Sequence, residues 1–337
     1  MSVSVHIAAT TILSLHLLLF FVNANSSMDP YKVLNLILNP NGTVTRLQKI
    51  PQSPPSPDPN LPTPALSKDL TVNQSKHTWA RIYLPHKLNS KKKLPLIIFY
   101  HGGGFIFYSA ASTYVHDFCA EIANKTQSVV VSLDYRLAPE HRLPAAYDDS
   151  VEILHWIRIS NDAWLTRHAD YSRCYLMGES AGGNIAYTAG LRAAAIVDEI
   201  KPISIKGLIL IQPFFGGTKR TPSEIRLEKD LNLPLIFTDA LWELSLPVGV
   251  DRDYVYSNPT VNGGDKVLEK IRLLGWKVGV FGCDGDQLVD RQRELVKLLE
   301  GKSVHVVGQF YSGGRHGIFM GDPSMSEKVF DLVKSFY

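Results

Sequence analysis

The sequence predicts an α/β fold, in which a central, mostly parallel β-sheet carries helices on both faces. Near-continuous apolar runs recur along the chain, as buried parallel strands require. Segments with helical spacing of apolar residues separate these runs, and strand–helix alternation is typical of parallel βαβ units. The composition, with 45% hydrophobic and 20% charged residues, is that of a globular protein and not of a disordered one.

Charge and cysteine content exclude several classes of protein. The formal net charge of +3 over 337 residues is too small for a nucleic-acid-binding protein, and the basic run Lys91–Lys93 is short. Cys119, Cys174 and Cys283 lie far apart, so they form no CxxC pair, and an odd count argues against a disulfide framework. A multi-pass membrane protein is excluded because only the N-terminus carries a long apolar run.

The N-terminal segment admits two interpretations. Residues 1–27 contain no Lys, Arg, Asp or Glu, and small residues follow the apolar run, as in a secretory signal peptide. The absence of a positive n-region counts against a signal peptide, and the alternative is a start at Met28, where the chain turns polar. We expect a cytoplasmic protein, or a secreted one if residues 1–24 act as a signal peptide. Only in the second case do the Asn-X-Ser/Thr sites matter, at Asn25, Asn41, Asn73 and Asn124.

A proline-rich segment follows a short predicted helix at about residues 30–38. Residues 51–64 contain seven prolines, which excludes a helix or an inner strand and predicts an extended strap. We assign residues 28–75 to an N-terminal cap segment and residues 76–337 to a catalytic domain.

The predicted strands begin at Trp79–Leu84, whose alternation indicates a half-buried antiparallel strand. Leu94–Tyr100 and Ser128–Asp134 are the apolar runs of buried central strands. Further strands are predicted at Arg173–Met177, Lys206–Ile211, Trp276–Phe281 and Val304–Phe310.

Helical spacing occupies the segments between the predicted strands, and one stretch breaks the alternation. Residues 214–262 carry scattered Pro, Gly and aromatic residues, and we expect them to form a cap together with the N-terminal segment. The predicted helices are Tyr114–Lys125, Ala145–Ile159, Ser180–Val197, Lys266–Leu273, Gln287–Leu299 and Ser326–Phe336.

The run Gly178-Glu179-Ser180-Ala181-Gly182 matches G-x-S-x-G between a predicted strand and a predicted helix. This is the context of a nucleophile elbow, a turn so tight that the flanking residues must be small. It places the Ser180 hydroxyl at a helix N-terminus, where the helix dipole favours developing negative charge. A chance match in a glycine-rich loop is the alternative.

A second glycine-rich segment, His101-Gly102-Gly103-Gly104-Phe105, follows the strand at residues 94–100. Three glycines let backbone N–H groups approach a reacting carbonyl, as in an HGGG oxyanion loop. We predict that the N–H groups of Gly103, Gly104 and Ala181 form an oxyanion hole. A simple glycine turn is the alternative, but both motifs in one chain, in this order, favour the catalytic interpretation.

A nucleophilic serine needs a base and an orienting carboxylate, in the chain order Ser, acid, His. His316 lies among glycines after the last predicted strand, whereas His305 lies inside that strand. Three aspartates follow the preceding strand, and each of them could alternatively cap a helix. These candidates for the acid are Asp284, Asp286 and Asp290.

These motifs resemble those of the hormone-sensitive-lipase-like group of α/β hydrolases, most closely the plant carboxylesterases, from about Met28 to Tyr337. The segments that carry the resemblance are HGGGF at 101–105, DYRLAPEHRLPAAYDD at 134–149, GESAGGN at 178–184, DQLVD at 286–290 and HGIF at 316–319. Residues 213–217, 220–224, 246–249 and 257–259 are also similar to plant carboxylesterases.

The resemblance implies an α/β-hydrolase fold with a mobile helical cap, Asp286 as the acid, and Gly103, Gly104 and Ala181 as oxyanion donors. The chain departs from the family at Gln212 and Tyr254, where relatives often have His.

Other residues have more ordinary expected roles. Paired charges tolerate burial, so we expect ion-pair and turn residues that brace the site, namely Asp134, Arg136, Glu140 and His141. Five aromatic side chains are expected in the core, with pocket lining as the alternative, namely Phe105, Phe107, Phe214, Phe215 and Trp242.

The sequence therefore predicts a serine carboxylesterase with the triad Ser180, Asp286 and His316. It needs no metal or organic cofactor and takes a small-molecule ester, with no nucleic-acid partner and no stable membrane span in the mature domain. No motif specifies an oligomeric state. Two alternatives come from other proteins that this family resembles. One is a lyase of specialised metabolism, and a family relative with that activity has Thr at the nucleophile position. The other is a gibberellin-receptor-like binding protein, and such receptors lack the catalytic histidine.

Overall fold

The computed structural model describes residues 29–88, 92–261 and 265–337. The predictions for residues 1–27, for a start at Met28 and for the basic residue Lys91 lie outside the described residues. Within them, no helix has both the length and the apolar character needed to span a bilayer.

The strands form a two-stranded hairpin and an eight-stranded sheet. The order in the large sheet is β10-β9-β8-β7-β5-β6-β4-β3. The strands are β1 (Leu36–Leu38), β2 (Val44–Arg46), β3 (Ala65–Asn73), β4 (Thr78–Pro85), β5 (Leu94–Tyr100), β6 (Val129–Asp134), β7 (Ala169–Glu179), β8 (Ile205–Ile211), β9 (Lys277–Cys283) and β10 (His305–Tyr311).

Ten α-helices and a short 3₁₀ helix at Ile318–Met320 occupy the described residues. The α-helices are α1 (Pro30–Val33), α2 (Thr113–Thr126), α3 (Ala145–Ile159), α4 (Ala163–His168), α5 (Ala181–Ala195), α6 (Pro222–Arg226), α7 (Leu235–Ser245), α8 (Asp265–Leu273), α9 (Val289–Gly301) and α10 (Pro323–Lys334).

The large sheet has the predicted α/β architecture. Across the sheet, the six strands β10, β9, β8, β7, β5 and β6 are all parallel to their neighbours. The β4–β6 and β3–β4 pairs at the other edge are antiparallel. Along β5, Leu96 and Ile98 belong to one apolar cluster, with side chains of α3 and α5, while Ile97 and Phe99 belong to another, with side chains of α2 and α10. Because successive side chains point to opposite faces, helices cover the sheet on both sides.

Two local predictions are wrong. The helix predicted at residues 30–38 ends at Val33, and Leu36–Leu38 instead pair with Val44–Arg46 as a hairpin. The strand at Trp79–Leu84 is not half-buried: seven of the eight side chains of β4 are buried. Ala80 and Ile82 belong to the apolar cluster on one face of the sheet and Tyr83 to the cluster on the other, so both faces of β4 are covered.

The edge strand β3 carries no strong sequence signal. It lies N-terminal to the predicted boundary between residues 75 and 76, which falls in the turn between β3 and β4. The segment assigned to the cap therefore also supplies a strand of the main sheet. The proline-rich residues 51–64 contain no helix and no named strand; Gln52 forms an isolated bridge with Ser112, and the segment turns at Pro59 and Asn60.

The predicted interruption at residues 214–262 contains helices α6 and α7, and α1 from the N-terminal segment packs against α7. Arg46, at the end of β2, fastens this N-terminal hairpin to the main domain by hydrogen bonds to the carbonyls of Ile106 (2.7 Å) and Ala138 (2.8 Å). The two cap segments thus meet above the carboxyl ends of the parallel strands, where the loops that follow β5, β7, β9 and β10 lie.

Candidate active site

Ser180 lies in a sharp turn between β7 and α5. Its backbone adopts φ 53° and ψ −120°, a strained conformation for a residue with a side chain. The turn is held from both sides, because the Ser180 N–H donates to the Ile211 carbonyl (2.9 Å) and the Ser180 carbonyl accepts from the Phe214 N–H (2.8 Å). The predicted nucleophile is thereby fixed at the N-terminus of α5.

The glycines around Ser180 are required by close packing of the backbone. A Cβ atom on Gly182 would overlap the carbonyl oxygen of Tyr100, and one on Gly178 would overlap the carbonyl oxygen of Gly182. Since these obstacles are main-chain atoms, no rotamer change can relieve them. The absence of side chains at Gly178 and Gly182 is therefore what allows β7, α5 and the end of β5 to pack together.

Three side chains from three different loops form a continuous hydrogen-bonded relay. His316 Nε2 lies 2.9 Å from Ser180 Oγ, and His316 Nδ1 lies 2.9 Å from Asp286 Oδ2. Asp286 is fully buried and also accepts from the backbone N–H of Leu288 (3.0 Å) and from Gln292 Nε2 (3.0 Å). These donors fix the orientation of the carboxyl group.

The two alternative aspartates lie outside this relay. Asp284 accepts from the Gly313 N–H (2.6 Å) and so ties the loop after β9 to the loop that carries His316. Asp290 accepts from the Ser223 N–H (2.7 Å) and pairs with Arg293 (3.3 Å). His305 is exposed at the start of β10.

The environment of His316 favours the imidazolium. Its side chain is 12% exposed, and burial by itself lowers the pKa. The charge of Asp286, its hydrogen bond and the charge of Glu179 outweigh burial, so the pKa of His316 is raised above its usual value of 6.5. A base whose protonated form is stabilised in this way is suited to accept the proton of a serine hydroxyl.

The predicted oxyanion donors come from two segments, namely the loop after β5, which carries Gly103 and Gly104, and the start of α5, which carries Ala181. Gly103 and Gly104 have φ of 89° and 61°, and their N–H groups have no hydrogen-bond acceptor within the described ranges. Ala181 is the first residue of α5, where backbone N–H groups have no partner within the helix. The positive end of the helix dipole adds to this field.

The buried side chain of Tyr135 holds the glycine-rich loop of residues 101–105 in place. The hydroxyl of Tyr135 donates to the carbonyls of His101 (2.8 Å) and Gly102 (3.2 Å), and its ring stacks on His101 with centroids 4.3 Å apart. Burial lowers the pKa of His101 to about 4, so this side chain is neutral at ordinary pH. His101 is thus a structural residue of the loop.

Sequence reasoning missed three polar residues of the site. Gln292 orients Asp286, and Glu179 accepts from the Gly102 N–H (2.5 Å). Gln212, a departure from the family, accepts from the Gly317 N–H (2.7 Å) and donates to the Arg315 carbonyl (3.2 Å), so its side chain contacts the residues on both sides of His316. Of these three residues, only Glu179 has a signal in the sequence, because it is a carboxylate at the end of an apolar strand.

The segment predicted to form part of a cap is hydrogen-bonded to the loops that carry Asp286 and His316. Asn232 donates to the His316 carbonyl (2.8 Å), and Arg226 donates to the Asp284 carbonyl (2.7 Å). Gln287, next to Asp286, donates in return to the carbonyl of Leu233. The segment between α6 and α7 therefore bears directly on the site.

The predicted bracing charges are confirmed in part. Arg136 pairs with Asp149 (2.7 Å), Glu140 pairs with Arg46 (2.8 Å), and Asp134 accepts from the Ala110 N–H (2.8 Å). Burial raises the pKa of Asp134 to about 6. His141 is instead exposed, and no ion pair involves it among the described residues.

The five aromatic residues expected in the core are all buried. Phe214 stacks on Trp242 with centroids 4.3 Å apart, and Phe105 packs on both rings. Tyr254, the second departure from the family, packs edge-on against Tyr256 in the cap. Over the residues described, no group of three or more His, Cys, Asp or Glu side chains is arranged to hold a metal ion.

Comparison with known proteins gives a consistent result. Residues 97–320 match the sequence family described as having an alpha/beta hydrolase fold. Carboxylesterase 20 of Arabidopsis thaliana is 51% identical over 314 residues, covering 91% of this chain and 96% of its own length. The 3-O-acetylpapaveroxine carboxylesterase CXE2 of Papaver somniferum is 42% identical over 320 residues, covering 91% and 99%. Among solved structures, the hyperthermophilic esterase of Pyrobaculum calidifontis superposes with a TM-score of 0.67 at 26% identity, covering 82% of this chain and 84% of that one.

Proposed function

Because this chain belongs to the α/β-hydrolase family, among the plant carboxylesterases, we propose that it hydrolyses an ester of a small plant specialised metabolite through a Ser180–His316–Asp286 triad and an acyl-enzyme. Its class, carboxylic ester hydrolase, follows from relatives that are up to 51% identical over nine-tenths of the chain. The observation that carries the finer proposal is the relay of two 2.9 Å contacts from Ser180 through His316 to Asp286.

In the first half-reaction, Ser180 Oγ attacks the ester carbonyl while His316 Nε2 accepts the hydroxyl proton. Asp286 holds the Nδ1–H tautomer of His316 and stabilises the imidazolium that forms. The negative charge that develops on the carbonyl oxygen is met by the N–H groups of Gly103, Gly104 and Ala181. Each such donor contributes a factor of about 10²–10³ to turnover.

The alcohol then leaves with the proton from His316 and an acyl-Ser180 ester remains. Water attacks this ester with His316 again as the base, and the carboxylic acid is released. All proton transfers pass through one imidazole. The 2.9 Å separation of His316 Nε2 and Ser180 Oγ supports this route.

An O-acetylated specialised metabolite is the substrate class that the relatives support. The two poppy relatives carry a name that specifies an O-acetyl substrate, and each is 42% identical to this chain over 320 residues. The alternatives are a receptor-like binding protein and a lyase. The presence of His316 beside Ser180 argues against a receptor-like binding protein, and Ser180 itself favours hydrolysis over elimination.

The test is hydrolysis of p-nitrophenyl esters, from acetate to octanoate, by the residue 28–337 protein and by Ser180→Ala. We expect wild-type turnover with an optimum among the short acyl chains, and a loss of several orders of magnitude in the variant with the fold retained. Near-wild-type turnover by Ser180→Ala would refute the assignment of the nucleophile.

Product analysis separates hydrolysis from elimination. Hydrolysis of an acetylated metabolite gives acetic acid and the alcohol in equal amounts, whereas a lyase releases acid or water and leaves an unsaturated product. A folded wild-type protein without any hydrolysis would favour the lyase or the receptor-like binding protein.

A further inference from the structure

The carboxyl group of Glu179 lies beside the predicted oxyanion loop, and its residue directly precedes Ser180 in the chain. Glu179 is the last residue of β7, immediately before Ser180, and it is 4% exposed. Its Oε1 atom accepts from the N–H of Gly102, 77 residues away in the sequence, at 2.5 Å. A Cβ atom on Gly102 would overlap this carboxylate, so the carboxylate packs directly against the backbone of the oxyanion loop.

We propose that Glu179 is a positioning residue with two separable effects: its carboxylate oxygen anchors the oxyanion loop at Gly102, and its negative charge stabilises protonated His316. The inference rests on the proposed function, since it assigns to Glu179 a role in a reaction that Ser180 and His316 carry out. Glu179 itself is not expected to contact the reacting atoms.

The anchoring effect follows from how Gly102 is held. Its N–H is bound by Glu179, while its carbonyl accepts from the hydroxyl of Tyr135 (3.2 Å). Both peptide groups of this residue are therefore fixed immediately before the chain turns through the left-handed conformations of Gly103 and Gly104. An oxyanion hole works only if its donors are held in place before the reaction, because reorienting them would cost part of the stabilisation.

The charge effect follows from the burial of Glu179 and its electrostatic interaction with His316. Burial raises the pKa of Glu179 to about 7, although His316 and the Gly102 N–H act in the opposite direction. The charge of Glu179 in turn raises the pKa of His316. Its contribution is smaller than the contributions of Asp286 and larger than that of Asp230.

In the described part of the chain, the groups other than His316 that interact electrostatically with Glu179 are uncharged. Apart from His316, the titratable groups whose pKa is changed by the charge of Glu179 are Tyr108, Tyr114, Tyr135 and Cys119. Burial raises the pKa of each of them, so all four are uncharged at neutral pH. Where Glu179 is charged, above a pH of about 7, removing its charge is therefore expected to lower the pKa of His316.

Two substitutions separate the effects. Glu179→Gln keeps an oxygen that can accept from Gly102 but removes the charge, whereas Glu179→Ala removes both. Glu152→Gln is the matched control, because Glu152 is a half-buried glutamate of α3 that accepts from Asn73 and Lys76 on the β3–β4 hairpin. For each protein we would measure kcat and KM for p-nitrophenyl acetate against pH, together with the thermal midpoint.

For Glu179→Ala we expect kcat to fall about 10- to 100-fold with KM near the wild-type value, somewhat less than the loss from deleting an oxyanion donor. Glu179→Gln should recover most of kcat, and the acid limb of its kcat/KM profile should move to lower pH. Glu152→Gln should keep the wild-type profile. A residue with only a structural role would change the thermal midpoint without moving the acid limb.

Three results would overturn the inference while wild-type, Ser180-dependent hydrolysis persists. These are wild-type kcat in Glu179→Ala, equal losses of kcat in the Gln and Ala variants, and an acid limb unmoved in Glu179→Gln. If the wild-type protein shows no Ser180-dependent hydrolysis, it is the proposed function that fails.

Discussion

Asp284, Asp286 and Asp290 follow the same strand within seven residues, yet their surroundings give them different roles. Asp286 is fully buried, contacts His316 and receives two further hydrogen bonds, whereas Asp284 binds a backbone N–H and Asp290 binds α6 and Arg293. Burial together with a histidine partner is what distinguishes an orienting carboxylate from a loop-capping one. The difference leads to a direct test.

Asp286→Asn is expected to lower kcat by about 10⁴-fold, because an amide neither holds the required His316 tautomer nor stabilises the imidazolium. The measurement is steady-state kinetics with p-nitrophenyl acetate. Asp290→Asn is the matched control and should retain most of the activity, since Asp290 makes no contact with His316 among the described residues. A larger loss in Asp290→Asn than in Asp286→Asn would contradict our assignment of the acid.

The raised pKa of His316 predicts the pH dependence of hydrolysis. The imidazole must be neutral to accept the Ser180 proton, and its protonated form is stabilised by Asp286 and Glu179 despite burial. We therefore expect kcat/KM to rise with pH through an apparent pKa above 6.5. The same shift stabilises the fold below pH 6.5, a contribution lost as pH rises through the raised pKa. An acid limb centred below 6.5 would be inconsistent with this environment.

Gly182 tests the steric explanation of the nucleophile turn. Gly182→Ala should lower the free energy of unfolding by at least about 3 kcal/mol, because the new methyl group overlaps the Tyr100 carbonyl. Gly301→Ala is the matched control: Gly301 ends α9 with open space around it, so alanine should be neutral or stabilise by up to about 1 kcal/mol. Urea unfolding of both variants decides the point, and equal stabilities would disprove the steric argument.

At the scale of elements, Arg46 joins the N-terminal hairpin of β1 and β2 to the segments that follow β5 and β6. Arg46 makes two hydrogen bonds to Glu140 (2.8 and 2.9 Å) in addition to those with the carbonyls of Ile106 and Ala138. This pair is about one-fifth exposed, so solvent screens it only partly. The planar guanidinium suits this arrangement, which an ammonium cannot reproduce.

Arg46→Ala should lower the free energy of unfolding by about 1–3 kcal/mol, because two backbone carbonyls and a carboxylate lose their donor. Arg46→Lys should not restore the loss. Denaturant unfolding measures both, and Lys201→Ala, which removes a highly exposed pair with Asp198, should leave stability unchanged. Full recovery in Arg46→Lys would indicate that charge alone matters at this position.

For the molecule as a whole, the three cysteines report on global unfolding. Cys119, Cys174 and Cys283 are free and fully buried, in separate parts of the fold. Burial raises the pKa of all three thiols, that of Cys283 to about 12, so none is a reactive thiolate in the folded protein.

We expect the native protein to react with none of its thiols when treated with a disulfide reagent such as DTNB, and the unfolded protein to show three thiols per chain. Absorbance of the released thiolate, followed through a denaturant titration, should coincide with loss of the far-ultraviolet helix signal. Rapid reaction of one thiol in the native state would show that its element opens independently of the rest.

What the sequence by itself determined is local in character. The order of parallel strands and helices, the elbow at Ser180 and the glycine loop at residues 101–105 all follow from patterns within a few residues, because strand burial, helix periodicity and tight turns depend on near neighbours. The motifs also named Ser180 and His316, and the resemblance to the plant carboxylesterases selected Asp286 among three aspartates. The structure brings these three residues within hydrogen-bonding distance.

What only the tertiary structure decided depends on partners far apart in the chain. The pairing of Leu36–Leu38 with Val44–Arg46, the burial of β4 and the place of β3 in the main sheet depend on which segments pack beside them. The hydrogen bonds from Gly102 to Glu179 and between Gln212 and the His316 loop join residues 77 and more than 100 positions apart. No local pattern encodes such a contact, because its energy arises only when folding removes both groups from water and leaves each as the other's partner.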